Sequence, residues 1–157
     1  MAEHTLDEID RKLLMQLQLD STQSLTELGQ KVSLSRNALW RRLTKLEQDG
    51  YIDRRVAILN KDKLNLGLSV FITISTDTHS LEWFDEFQRA VSAIPEITGI
   101  FRMTGNVDYI LHAVIPDMRA YDNLYKSLIS RVSLSDVSSS FVMEEIKNTT
   151  TLPLSYT

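Results

Sequence analysis

The residues best suited to chemistry in this 157-residue chain lie between Ser35 and Gln48, where Asn37, Arg41, Thr44, Lys45 and Gln48 recur at three- and four-residue intervals. At about 100° per residue, those intervals put all five on one side of a helix and Leu39, Leu43 and Leu46 on the other. Amide, guanidinium, hydroxyl and ammonium groups on one helical face are the donors and acceptors that major-groove base edges and flanking phosphates require. Arg36 in the first turn and Arg42 on the flank suit phosphate contact, and Ser35 at the start can cap the helix. Trp40 falls between the two sides, where packing on a neighbouring helix and contact with a DNA backbone are both open. A solvated amphipathic helix shows the same pattern, so the surroundings must decide.

Those surroundings describe a helix-turn-helix. Ser24 and Glu27 form a capping box, and Leu25, Leu28 and Val32 give a short apolar stripe. Ser33 to Ser35 breaks the pattern, and Gly50 stops the second helix. Upstream, Leu6, Ile9, Leu13 or Leu14 and Leu17 predict another helix, with Thr5 and Glu8 as its capping box. Three helices this short must bury their stripes against one another. From Ser33 to Val56 six basic residues (Arg36, Arg41, Arg42, Lys45, Arg54, Arg55) face three acidic ones (Glu47, Asp49, Asp53), in a chain of net charge −4. Local basicity on an acidic protein is an electrostatic footprint for nucleic acid.

Composition excludes several classes. Hydrophobic content of 43% and charged content of 24% are those of a globular domain, and no run approaches the ~18 apolar residues of a membrane span. The acidic N-terminus lacks the apolar core of a signal peptide, and the absence of cysteine rules out disulfides and thiolate chemistry, so a cytoplasmic protein is expected. His4, His79 and His112 stand at no metal-ligand spacing, and Ser138 to Ser140 lacks the frame of a nucleophile elbow. No metal, cofactor or catalytic site is expected.

Tyr51 to Leu59 reads as a strand that could form a wing or hinge, followed by a connector. From Leu68 the period changes to two, then alternates between strand and helix patterns in the order βαββαβ. The expected fold is α+β: an N-terminal trihelical (winged) helix-turn-helix at 1–52, a hinge strand and linker at 53–66, and a ferredoxin-like βαββαβ domain at 67–157. Ile110, Leu111, Val114 and Ile115 occupy both parities of one strand, so both faces of the sheet are apolar. Helices cover only one face, which predicts a homodimer closed over the other.

Five segments in this order resemble the Lrp/AsnC family of transcription regulators: Leu6-Asp7 with Ile9-Asp10-Arg11, Leu43 to Ile52, Gly105 to Tyr109, Pro116-Asp117-Met118, and Val142 to Lys147. The resemblance spans essentially the whole chain. It implies a dimer, assembling further to an octamer, that binds double-stranded operator DNA and takes a small effector, commonly an amino acid, between dimers. Carried over by position, the effector site comprises Gly105, Asn106, Val107 and Asp108, with Met118, Ser140 and Phe141 as further lining. Chemically, Gly105 allows close backbone approach and Asp108 can hold an ammonium group, although the same loop also reads as a hairpin turn. Three stretches, at 79–83, 101–105 and 135–141, resemble a subgroup that senses cysteine and controls its detoxification. Ser35 to Ala38 departs from the Pro and Cys of many relatives, so operator sequence does not transfer, and Ser140 replaces a larger residue of leucine-responsive members. The alternative to an effector-modulated regulator is an architectural protein that wraps DNA without an effector.

Overall fold

Asp7 rather than Thr5 opens the first helix: its carboxylate accepts the Asp10 backbone N–H at 2.8 Å, while the Asp10 carboxylate accepts the Asp7 N–H at 3.2 Å. Two aspartates thus do what Thr5 and Glu8 were expected to do, two residues further on. In the computed structural model, which describes residues 5–157, this helix, α1, spans Glu8–Leu19. His4 lies outside the described residues. α2 (Leu25–Val32) starts on the predicted box of Ser24 and Glu27, and α3 (Arg36–Gln48) starts on Ser35. Leu13, Leu28, Leu39 and Leu46 meet in one buried cluster, to which Ile52 adds the last apolar residue before the chain leaves. No one of these helices would persist alone, so the shared core holds all three.

Two polar details set how α3 is seated. Between α2 and α3, Ser33 takes a left-handed φ of 57° and the Leu34 N–H donates to the Gly29 carbonyl at 2.9 Å. A Cβ on Gly29 would lie 2.8 Å from the Leu34 carbonyl oxygen, so the turn closes only over a glycine. Across the join of α1 and α3, Arg42 Nη1 donates to Asp7 Oδ2 at 2.6 Å and to Asp10 Oδ1 at 2.7 Å. The Asp10 side chain is 2% exposed, and the guanidinium is what keeps that buried carboxylate neutralised. Asp7 is held below the usual carboxylate range, first by the Asp10 backbone N–H and then by Arg42.

The chain divides into two compact units, one running to Ile58 and including Lys147–Thr157, the other Leu59–Ile146. The expected boundaries differ here at both ends. Residues 51–59, read as a strand from their β-branched content, run without ladder bonds, and Val56, Ile58 and Leu59 are exposed. The last eleven residues, expected with the second domain, lie with the helical unit, where Leu154 packs against the leucine cluster.

The second unit has four strands, β1 (Leu68–Ser75), β2 (Ile97–Arg102), β3 (Tyr109–Ile115) and β4 (Asp136–Phe141), with helices α4 (Leu81–Ser92) and α5 (Met118–Ile129) between them. The sheet order is β2-β3-β1-β4 with every neighbour antiparallel, which is the ferredoxin-like arrangement. On the helical side Val70, Ile72, Ile74, Leu111, Ala113 and Ile115 are fully enclosed. Trp83, Phe87 and Val91 are the buried residues of α4, while Phe84 packs only partly against them. Trp83 stacks on Phe87 and donates its indole N–H to the Ser133 carbonyl at 2.9 Å. On the opposite side Phe71 is 43% and Phe101 53% exposed, with Ile110, His112 and Val114 beside them.

Gly29→Ala should lower stability by about 1–3 kcal/mol, the cost of forcing a methyl group onto backbone atoms. Arg42→Ala should cost more, about 2–4 kcal/mol, because it removes the cation paired with a buried carboxylate. Thermal unfolding followed by circular dichroism measures both, and an Arg42 variant as stable as the parent would show that the guanidinium does not hold α3 on α1.

Candidate nucleic-acid and effector sites

The polar face of α3 is displayed as its spacing requires. Asn37, Arg41, Lys45 and Gln48 are exposed and Thr44 is half-buried, opposite buried Leu39, Leu43 and Leu46. Arg41, Thr44, Lys45 and Gln48 line one open depression together with Asp7 and Asp10 of α1. Among the described residues Arg36 and Arg41 make no ion pair, whereas Lys45 reaches Asp49 at 3.1 Å and Arg55 reaches Glu47 at 2.7 Å. The two guanidinium groups carry charge that no described carboxylate offsets, and the Lys45 pair is an exposed one. Trp40 is 59% exposed, so it is not the packing residue that one of its two readings made it. Arg42 is occupied by Asp7 and Asp10, and its role in this structure is to seat α3 on α1. Ser35 Oγ accepts the Ala38 N–H at 3.4 Å and caps the helix.

The loop between β2 and β3 holds Gly105, Asn106, Val107 and Asp108. Gly105 has a φ of 115° with open space where a side chain would be, so its glycine serves the backbone conformation. Asp108 closes the loop onto the sheet: its N–H donates to Ile74, its carbonyl accepts Met103 N–H at 2.8 Å, and its Oδ2 accepts Thr76 N–H at 2.8 Å. Asp108 thus fastens the loop to the end of β1 and commits one carboxylate oxygen, whereas the turn reading had the Asp bonding its own backbone. Gly105 and Asn106 are exposed beside it.

Met118, Ser140 and Phe141 lie elsewhere. Met118 follows the far end of β3, and Phe141 pairs with Val70 near that same end, so the seven-residue β3 separates them from the loop by roughly 20 Å at ~3.3 Å per residue. Ser140 and Phe141 also point to opposite faces, as neighbours in a strand must. Phe141 joins the core and meets Tyr121 edge-on at 5.0 Å, while Ser140 stands opposite Phe71 on the uncovered face. One chain does not bring the seven expected effector residues together.

Sequence reasoning gave no role to Asp10, the residue that anchors Arg42. Its Asp-x-x-Asp spacing from Asp7 was a signal for a cap, but burial of the carboxylate could not be read from spacing. Gly29 was passed over for the same reason, because its constraint is the Leu34 carbonyl packed against it.

These two halves match known proteins. The Lrp/AsnC ligand binding domain matches residues 69–152, and the AsnC-type helix-turn-helix domain matches residues 6–47. The chain is 47% identical over 150 residues to the DNA-binding transcriptional activator DecR of Escherichia coli, covering 95% of this chain and 99% of that one. Its fold is similar to the crystal structure of an AsnC family transcriptional regulator from Agrobacterium tumefaciens (TM-score 0.93, 49% identity, 96% and 99% of the two chains). It is also similar to a transcriptional regulator of Neisseria meningitidis solved with L-methionine (TM-score 0.92, 37% identity, 97% and 99%). With a helix-turn-helix that displays a basic polar face, a ferredoxin-like second unit and matches across both, the chain belongs to the Lrp/AsnC family of transcriptional regulators.

Proposed function

We propose that this protein is a cytoplasmic, non-catalytic regulator that binds double-stranded operator DNA through α3 and adjusts that binding to one amino acid. The observation that carries the reading is the division of labour on α3. Arg42 is spent on the fold, leaving Asn37 and Arg41 for base edges and Arg36, Thr44 and Lys45 for phosphates, with Ser35 and Trp40 at the margin. The effector reading rests on the exposed loop at Gly105 to Asp108 and on the L-methionine held by the Neisseria relative. Since Met118 and Phe141 stand at the opposite end of the sheet, a complete site needs the loop of one protomer against the far end of another. Assembly beyond the dimer, up to an octamer, would supply that meeting.

The dimer itself is read from the uncovered sheet face. Phe71 and Phe101 are too exposed for a face meant for water, and Phe71 lies 4.9 Å from the His112 ring. A second copy of the same face matches it in chemistry and in extent, and isologous closure needs no further element.

Fluorescence anisotropy on the DNA upstream of the protein's own gene, with shuffled DNA as control and each standard amino acid added singly, tests the whole reading. Selective binding shifted by one amino acid supports it, and Arg41→Ala should erase the preference for operator over shuffled DNA. Equal affinity for both DNAs, unmoved by any amino acid, would make the protein an architectural wrapper instead.

His112 makes the folded sheet sensitive to acid. Burial lowers its pKa from 6.5, Glu145 opposes this and Lys61 adds to it, while Thr98 Oγ1 stands 2.8 Å from Nδ1. The unfolded chain therefore takes up a proton more readily than the folded sheet does, so the stability of the second unit is full above 6.5 and falls as pH drops through that value. Thermal unfolding should show a less stable second unit at about pH 5.5 than at about pH 8, the difference shrinking in His112→Gln, and sedimentation should show Phe101→Glu as a monomer. A Phe101→Glu dimer as tight as the parent would place the interface elsewhere.

A further inference from the structure

The chain crosses between its two units twice, after Ile58 and after Ile146, and the second crossing has no part in either face described above. Both ends of that crossing are fixed. At its root Glu145 pairs with Lys61, and Ser69 Oγ lies 3.2 Å from both the Glu145 carboxylate and the Lys61 ammonium. Lys61 stands just after the first crossing, so one ion pair ties the place where the chain arrives to the place where it departs.

At its end the segment lies along α1. Gln18 accepts the Leu152 N–H at 2.6 Å and donates to the Leu152 carbonyl at 3.2 Å, satisfying both backbone groups as a neighbouring strand would. Leu154 packs into the leucine cluster, and Arg11 Nη1 donates to the Thr157 carbonyl at 3.0 Å. The contacts move from Gln18 to Arg11 as the segment runs from Leu152 to Thr157, so it is antiparallel to α1. The helix is thereby held twice: by this segment through Arg11 and Gln18, and by Arg42 of α3 through Asp7 and Asp10.

We propose that residues 147–157 are a strap through which the state of the second unit sets the position of α1 and, through the Asp10–Arg42 pair, of the DNA-reading helix. β4, with Ser140 and Phe141, runs within six residues into the strap, so a displacement of that strand by a ligand or a second protomer that carries Glu145 with it reaches α1 through covalent chain. The inference rests on the effector reading above. Gln18 and Leu154 act as positioning residues, since neither belongs to the polar face of α3 or to the candidate effector set.

The test uses the full chain. In the parent, the effective amino acid found among the twenty standard ones should shift operator Kd by about fivefold or more. Gln18→Ala with Leu154→Ser should keep amino-acid binding by calorimetry and operator binding without ligand, yet reduce that shift to under about twofold, and Leu154→Ile with Gln18 intact should keep it. Amide exchange in α1 should quicken in the double variant. Gln18→Ala alone removes only two hydrogen bonds and should lose part of the shift, which keeps the test decisive should the double variant unfold. A full shift in these variants, or unchanged exchange in α1, overturns the strap and leaves the effector reading standing. No shift in the parent with any amino acid overturns the effector reading, and the strap with it, before a variant is made.

Discussion

A carboxylate enclosed between α1 and α3 governs the geometry of the DNA-binding unit. Asp10 is 2% exposed, and a charge so placed is tolerable only with a cation in hydrogen-bond contact. Arg42 is that cation, and because it also bonds Asp7 it grips two points on one helix. Leucine stripes give the three helices their reason to associate, but apolar contact is non-directional and leaves rotation of α3 about its axis weakly defined. Two short charge-assisted bonds define it. With Arg42 turned inward, the 3.6-residue period leaves Asn37, Arg41, Lys45 and Gln48 outward, so the pair that consumes one arginine is what presents the next.

The second unit is organised by a different constraint. Strands alternate, so a strand apolar at both parities has two faces to bury, and α4 and α5 cover only one. The other face, with Phe71, Phe101 and His112, has no cover within one chain. The expected effector residues are divided in the same sense, with the Gly105 to Asp108 loop at one end of β3 and Met118 and Phe141 at the other. In the assembly proposed above, other copies complete both the core and the ligand site, which would place assembly and ligand response in one equilibrium.

The amino-acid sequence by itself determined the order and type of nearly every element, because periods of 3.6 and 2 are local properties of the apolar pattern. The boxes at Ser24 and Glu27, the Ser35 cap and the βαββαβ order were all legible, as was the face of α3, and so was the family. Where local signals competed the reading slipped: Asp7 displaced Thr5 as the cap, and residues 51–59 have strand-forming side chains but no strand to pair with. Only the tertiary structure decided what depends on residues far apart in the chain. It committed Arg42 to Asp10 instead of leaving it for phosphate, required a glycine at 29 against the Leu34 carbonyl, bound Asp108 to Thr76, separated the loop from Phe141, and brought Leu152 and Leu154 back to α1. The reason is common to all of them: spacing along the chain specifies which face a side chain takes, and only packing between distant segments specifies what that face meets.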